Sequence, residues 1–290
     1  MWKNKAMKRY WHIYTKGLED DLIFRCEEDF VVGMNYVPVA LHGKDIVILA
    51  FVLMTNHFHF IVCAREDVAR QFIETYKNLV SRYVYVKYST SELLKGVNAG
   101  ISMITETEKL KEKIAYVLNN PVAAGINCFP QRYEWGSGEC YFAGEDRNGF
   151  CVPLSSYQVR VQRKMLRSHT KLPQSYLVSS GGYVTPSSYV DWQAVENLYY
   201  RASSLQYYLN MSRKNNDVSK YSLVFSDELL LNVVSQMLEK QYGGLSVKEL
   251  HKESLAVLVR ELNRRMNSPA KQLARVLGLS VADVVSILKN

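Results

Sequence analysis

The stretch Val52-Leu53-Met54-Thr55-Asn56-His57-Phe58-His59-Phe60-Ile61-Val62 constrains this chain more than any other. Its apolar residues call for burial, yet it holds two histidines two positions apart. On a strand, residues i and i+2 share a face. His57 and His59 therefore project side by side, and Phe58 and Phe60 face the other way. A lone strand histidine is ordinarily a satisfied core residue. Two on one buried face leave four ring nitrogens needing partners. Neutral imidazoles are common metal ligands, so this pair offers two coordination positions for a metal or phosphate site.

The flanking sequence places the pair in a sheet. Tyr10–Thr15 is rich in aromatic and β-branched residues and reads as a strand. Residues 27–41 carry Phe30, Val31, Met34, Val37 and Leu41 at helical spacing, with Pro38 arguing for a break or late kink. Asp45–Leu53 and His57–Cys63 are apolar strands of a hairpin, and Asp67–Tyr85 is an amphipathic helix. Gly100–Ile104 reads as a further strand. Thr105 with Glu108 then suggests a capping box opening a helix that ends at Pro121. The order β-α-β-β-α-β-α predicts an α+β fold, an antiparallel sheet with packed helices, followed by a mainly helical C-terminal region.

On the helix before Pro121, Leu110, Ile114, Val117 and Leu118 form the apolar stripe at about 100° per residue. Tyr116 lies off it, beside Lys109 and Lys113, with Asn120 one turn later on the same side. Most of the 20 tyrosines must be structural; this one is distinguished by its polar setting.

Both motifs carry a family likeness. Met54-Thr55-Asn56-His57-Phe58-His59 resembles the metal-binding signature of HUH-type single-tyrosine transposases, in particular the REP-associated tyrosine transposases. Thr55 stands where that family usually has Pro. Tyr116-Val117-Leu118-Asn119-Asn120-Pro121-Val122-Ala123-Ala124-Gly125-Ile126 is similar to the family's Tyr-Ile-x-x-Asn-Pro-Val-x-Ala-Gly-Leu segment, and Tyr133-Glu134-Trp135-Gly136-Ser137-Gly138 to its closing Tyr-x-Trp-Ser-Ser. The likeness spans roughly residues 8–143. Residues 89–104 depart from it, lacking the Arg of the usual Gly-x-Leu-Trp-Gln-Arg-like strand. The resemblance implies Tyr116 as nucleophile, His57, His59 and Asn120 as ligands of Mg²⁺ or Mn²⁺, and single-stranded or hairpin DNA as partner. The attack would leave a 5′-phosphotyrosine. Action in cis or through a homodimer is left open.

Charge fits a polyanionic partner. The net charge is +8, and residues 145–225 hold 10 basic against 5 acidic side chains. In that segment Arg160, Arg163, Lys164, Arg167 and Lys171 neighbour many aromatics, from Tyr157 to Tyr208. That mixture suits single strands, or else the core of a small helical unit. Five cysteines without a C-x-x-C pair read as reduced cytosolic thiols. No signal peptide or membrane span is expected, so a cytoplasmic location is. The expected division is 1–144, 145–225 and 226–290.

The last part resembles the helix-turn-helix of the replication-initiator DNA-binding domain: Ala274 where helices cross, Gly278 at the turn and Val284 packing the second helix. Arg275 and Ser280 are its candidate DNA contacts, beside Lys109 and Lys113 near the tyrosine. The rival readings are a non-catalytic DNA-binding regulator with a degenerate HUH domain, and a hydrolytic metallophosphodiesterase.

Overall fold

A computed structural model describes residues 7–15, 22–89, 99–124, 129–144, 147, 149–215, 227–266 and 268–289 of the 290. Gly125, Ile126, Cys128 and Ser226 lie outside the described residues.

Four strands, β1 (Arg9–Thr15), β2 (Ile46–Leu53), β3 (Phe58–Ala64) and β4 (Ala99–Ile104), form an antiparallel sheet in the order β2-β3-β1-β4. The histidine-bearing strand is thus central, as its two-sided apolar composition requires. Alternation along β3 divides the molecule. Phe58 and Phe60 pack edge-on against Phe72 and Tyr76 of helix α2 (Glu66–Tyr88), with ring centroids 5.0–5.2 Å apart. His57 and His59 look to the other side, where α3 (Thr107–Leu118) packs over β2 and β3.

Helix α1 (Glu27–Leu41) packs beside α2 and runs through Pro38 without ending there. Pro38 falls in the last turn, where the loss of one backbone donor costs little further pairing. Asp29 in the first turn of α1 is fully buried. It accepts hydrogen bonds from the Tyr83 and Tyr88 hydroxyls, Lys87 Nζ and the Arg25 amide, at 2.6–2.7 Å. Burial pushes this carboxyl up, but Lys87, Tyr88, Arg25 and Tyr83 together hold it below its usual range.

The expected capping box at Thr105 is not formed. Helix α3 is preceded by Glu106 as N-cap, without a side-chain cap. Glu108 instead bonds Lys111 and the Tyr208 hydroxyl. Nor does Pro121 stop a continuous helix. The chain breaks at Asn119, and Pro121 sits in the first turn of a short α4 (Asn120–Ala123), where its missing N–H is harmless.

Beyond α4, the Tyr133–Ser137 segment laces onto the outer edge of β2. Leu53 N donates to Trp135 O (2.8 Å) and Ser137 N to Phe51 O (3.0 Å). A Cβ on Gly136 would meet Phe51 O at 2.9 Å, so close backbone approach demands glycine there. Next come a two-stranded ribbon, β5 (Val152–Pro153) with β6 (Leu177–Val178), and helices α5 (Val159–Leu166), α6 (Trp192–Tyr199) and α7 (Ala202–Asn215). Tyr183, Val190, Val195, Tyr199, Leu205 and Leu209 from this stretch are buried in the same core as the sheet. Of its nine aromatics between Tyr157 and Tyr208, Tyr200 and Tyr207 are exposed and the rest are half-buried or buried. The five basic residues are all exposed.

Helices α8 (Asp227–Tyr242), α9 (Lys252–Met266), α10 (Ala270–Leu277) and α11 (Val281–Lys289) close on a core of their own around Leu230, Leu258, Leu262, Leu273, Leu277 and Val284. Gly278, in the left-handed region at φ 66°, ends α10. No described helix is long and apolar enough to cross a membrane.

Asp29→Ala leaves the buried ends of two tyrosines and Lys87 without their common acceptor. A loss of about 3–5 kcal/mol is expected, measured by urea unfolding. Because the folded carboxyl titrates below its unfolded value of about 3.9, its contribution is complete above that pH and fades as acid titrates it. Asp29→Asn should flatten this acid limb of the stability curve.

Candidate metal and nucleophile site

One face of the sheet gathers His12 and Tyr14 from β1, His57 and His59 from β3 and its entry, and Tyr116 and Asn120 from α3 and α4. The register explains the gathering. Tyr14 lies directly opposite His59 in the β1–β3 ladder, and His12, two residues earlier, shares its face. The Tyr116 ring stands edge-on to both His59 and His12, with centroids 5.6 and 6.0 Å away. Lys113 Nζ lies 5.3 Å from the centre of the same ring.

Hydrogen bonds fix the ring orientations. His12 Nε2 and His59 Nδ1 are 3.0 Å apart, so one donates to the other. His57 Nδ1 is 2.7 Å from Asn56 Oδ1, and its Nε2 is 3.2 Å from Asn120 Oδ1. Asn120 Nδ2 donates to Tyr116 O at 3.0 Å, which turns the amide oxygen toward the imidazoles.

This arrangement leaves a mismatch at His57. A neutral imidazole carries one N–H, yet an amide oxygen faces each of its nitrogens. Protonation would satisfy both, but burial pushes the His57 pKa down, only partly offset by Asn120. Burial, with His57 and His12 beside it, pushes His59 down further. His12 is pushed down to about 4 by burial and by Lys113. A cation between His57 Nε2 and Asn120 Oδ1 would resolve the contact. His59 interacts with the same amide, so the donor set fits a divalent ion bound through two imidazoles and an amide oxygen. Asn56 and His12 then serve as the outer partners that orient the ligands. No three His, Cys, Asp or Glu side chains form a metal-holding group among the described residues; the third donor would have to be the amide.

Burial pushes the Tyr116 phenol above 10, with Asn120 opposing the shift. The sequence-derived DNA contacts are placed differently from one another. Lys113 is half-buried at the tyrosine, whereas Lys109 is exposed and paired with Glu112 at 2.9 Å. Arg275 grips Asp227 with Nε at 2.7 Å and an Nη at 2.9 Å. The Ser280 hydroxyl accepts from Asp283 N at 3.0 Å, as a helix-capping side chain does.

Sequence reasoning missed His12. The signal was there in His12-Ile13-Tyr14, an i, i+2 pair on the first strand, but which strand lies beside β3 is a matter of long-range pairing.

The chain is similar in structure to a REP-associated tyrosine transposase. That solved structure, of the transposase bound to a REP hairpin, aligns at a TM-score of 0.34 and 12% identity, over 62% of this chain and 99% of that one. No family model and no curated protein matches this chain.

A histidine whose folded pKa lies below its unfolded value of about 6.5 gives stability that is present above that value and lost as pH falls toward the folded one. His12 should therefore remain neutral down to about pH 4, read from its imidazole resonances in an NMR titration. His12→Phe should reduce the acid sensitivity of unfolding between pH 6.5 and 4.

Proposed function

We propose that this protein is a metal-dependent single-strand DNA transposase that cleaves and rejoins DNA through a 5′-phosphotyrosine at Tyr116. The observation that carries this reading is the position of the Tyr116 ring. It lies on the same sheet face as His57 and His59, edge-on to His59, and one helical turn from Asn120. The sequence likeness of both motifs to the REP-associated transposases supports the same assignment.

Phosphodiester transfer depends on placing a nucleophile in line with the phosphate and stabilising the charge that develops. Tyr116 Oη attacks the scissile phosphorus and gives its proton to water, while the bond to the 3′-oxygen breaks and that oxygen takes up a proton from water. The products are a phosphotyrosine ester on the 5′ side and a free 3′-hydroxyl. One ester replaces another, so the hydroxyl can reverse the step and rejoin the strand. An Mg²⁺ or Mn²⁺ ion held by His57, His59 and Asn120 would supply Lewis-acid stabilisation of the phosphate oxygens. Lys113 faces the tyrosine ring, where its charge favours the phenolate and an incoming phosphate. Desolvation raises the Tyr116 pKa, and the Asn120 side chain opposes that shift.

The test is incubation of the full chain with short hairpin-tailed single strands and Mn²⁺, followed by a denaturing gel. A DNA–protein adduct is expected, and it should vanish in Tyr116→Phe. An adduct persisting in that variant would move the nucleophile elsewhere, and turnover without any adduct would favour a hydrolytic phosphodiesterase. A pure DNA-binding regulator would shift DNA in native gels and form no adduct. Asn120→Ala should weaken Mn²⁺ binding and slow adduct formation, each by roughly 10–100-fold or more, measured by titration calorimetry and by a time course.

A further inference from the structure

The turn between β2 and β3, which delivers His57, is held at three points. Met54 N donates to His57 O at 2.8 Å, closing the turn. The Thr55 carbonyl accepts from Ile23 N (2.7 Å) and Phe24 N (3.0 Å). The third point comes from far along the chain: Thr55 Oγ1 donates to Asp227 Oδ2 at 3.0 Å, across 172 residues.

Asp227 opens α8 and is itself clamped. Arg275 of α10 bonds both carboxylate oxygens, and Gln272 Nε2 donates to Oδ1 at 2.8 Å. The carboxylate is 5% exposed and takes four donors, one of them from the β2–β3 turn. A buried charge paired this fully holds its geometry, because breaking any contact leaves a desolvated group unmet. The pair also lies near enough to His57 for both of its charges to act on that imidazole, in opposite directions.

We infer that Asp227 and Arg275 are positioning residues of the metal site. Through Thr55 they fix the turn whose Asn56 side chain orients His57, so that the C-terminal helical unit forms part of the site's support. The inference rests on the reading of His57 as a ligand. Thr55 is not itself a ligand; its hydroxyl is the link. Loosening it frees the Asn56–His57 segment to leave the geometry that Asn120 meets.

Two variants of the full chain test this, Thr55→Val and Thr55→Ser, each read by hydrogen–deuterium exchange over the 53–58 peptide and by Mn²⁺ titration calorimetry. Thr55→Val keeps the shape and removes the donor; Thr55→Ser restores the hydroxyl. Thr55→Val is expected to exchange faster across the turn and to bind Mn²⁺ about tenfold more weakly, the lower end of the range for an outer partner of a metal ligand. Thr55→Ser should return both toward the parent values. Unchanged exchange in Thr55→Val would overturn the inference. So would faster exchange with unchanged Mn²⁺ affinity, because the link would then hold a turn that does not position the ligand. Should the parent protein fail to bind Mn²⁺, the ligand reading falls and the positioning role falls with it. Exchange would then still report whether the turn is clamped from Asp227.

Discussion

The alternation of side chains along β3 is the constraint on which the rest of the molecule turns. With a period of two, Phe58 and Phe60 are committed to the α2 side once His57 and His59 are committed to the α3 side. A slip of one residue against β1 or β2 would bury the imidazoles among phenylalanines and Tyr76 and push the aromatic rings toward Asn120. Apolar packing on one side thereby fixes polar geometry on the other. The core thus sets the side of the sheet on which the imidazoles stand, and their hydrogen bonds set the ring orientations there.

The polar side adds its own ordering. Asn120 reaches back to the carbonyl of Tyr116 and forward to His57, so the amide ties the tyrosine's backbone to the imidazole across the break at Asn119. His12, from the neighbouring strand, holds the far nitrogen of His59. One nitrogen of each imidazole is thus held by a neighbour, Asn56 for His57 and His12 for His59, and the other nitrogen of His57 meets the Asn120 amide oxygen. Arrangements of this kind depress imidazole basicity through burial, which keeps the rings neutral and suited to bind a cation at neutral pH.

Much of this was legible in the sequence, because short-period patterns report local structure. The two-residue spacing gave the shared face of His57 and His59, and helical spacing set Tyr116 and Asn120 together on one side. The α+β architecture followed from element order. What eluded the pattern depends on contacts distant in the chain. His12 joins the cluster only through the β1–β3 register. The Thr105–Glu108 spacing satisfied a capping rule, but Glu108 is held by Lys111 and Tyr208, the latter 100 residues away. Pro38 reads as a break or a late kink and Pro121 as a stop, whereas each occupies a terminal turn that tolerates it. The aromatics between Tyr157 and Tyr208 are mostly committed to the core, and composition cannot distinguish a stacking ring from a packed one. Thr55 stands where the resembling family usually has Pro; its hydroxyl makes a contact that a proline could not.

The lacing of Trp135–Ser137 along β2 also decides how the sheet can meet another chain. Val190 and Asp191 complete the cover at Ile48. The backbone groups on that side are consumed within the molecule, which removes one of the two templates that an open sheet offers. Among the described residues the opposite margin, β4, has a strand on one side only, and its Met103 side chain is 43% exposed. Growth of the sheet by a strand from a second copy is thereby confined to a single direction, outward from β4.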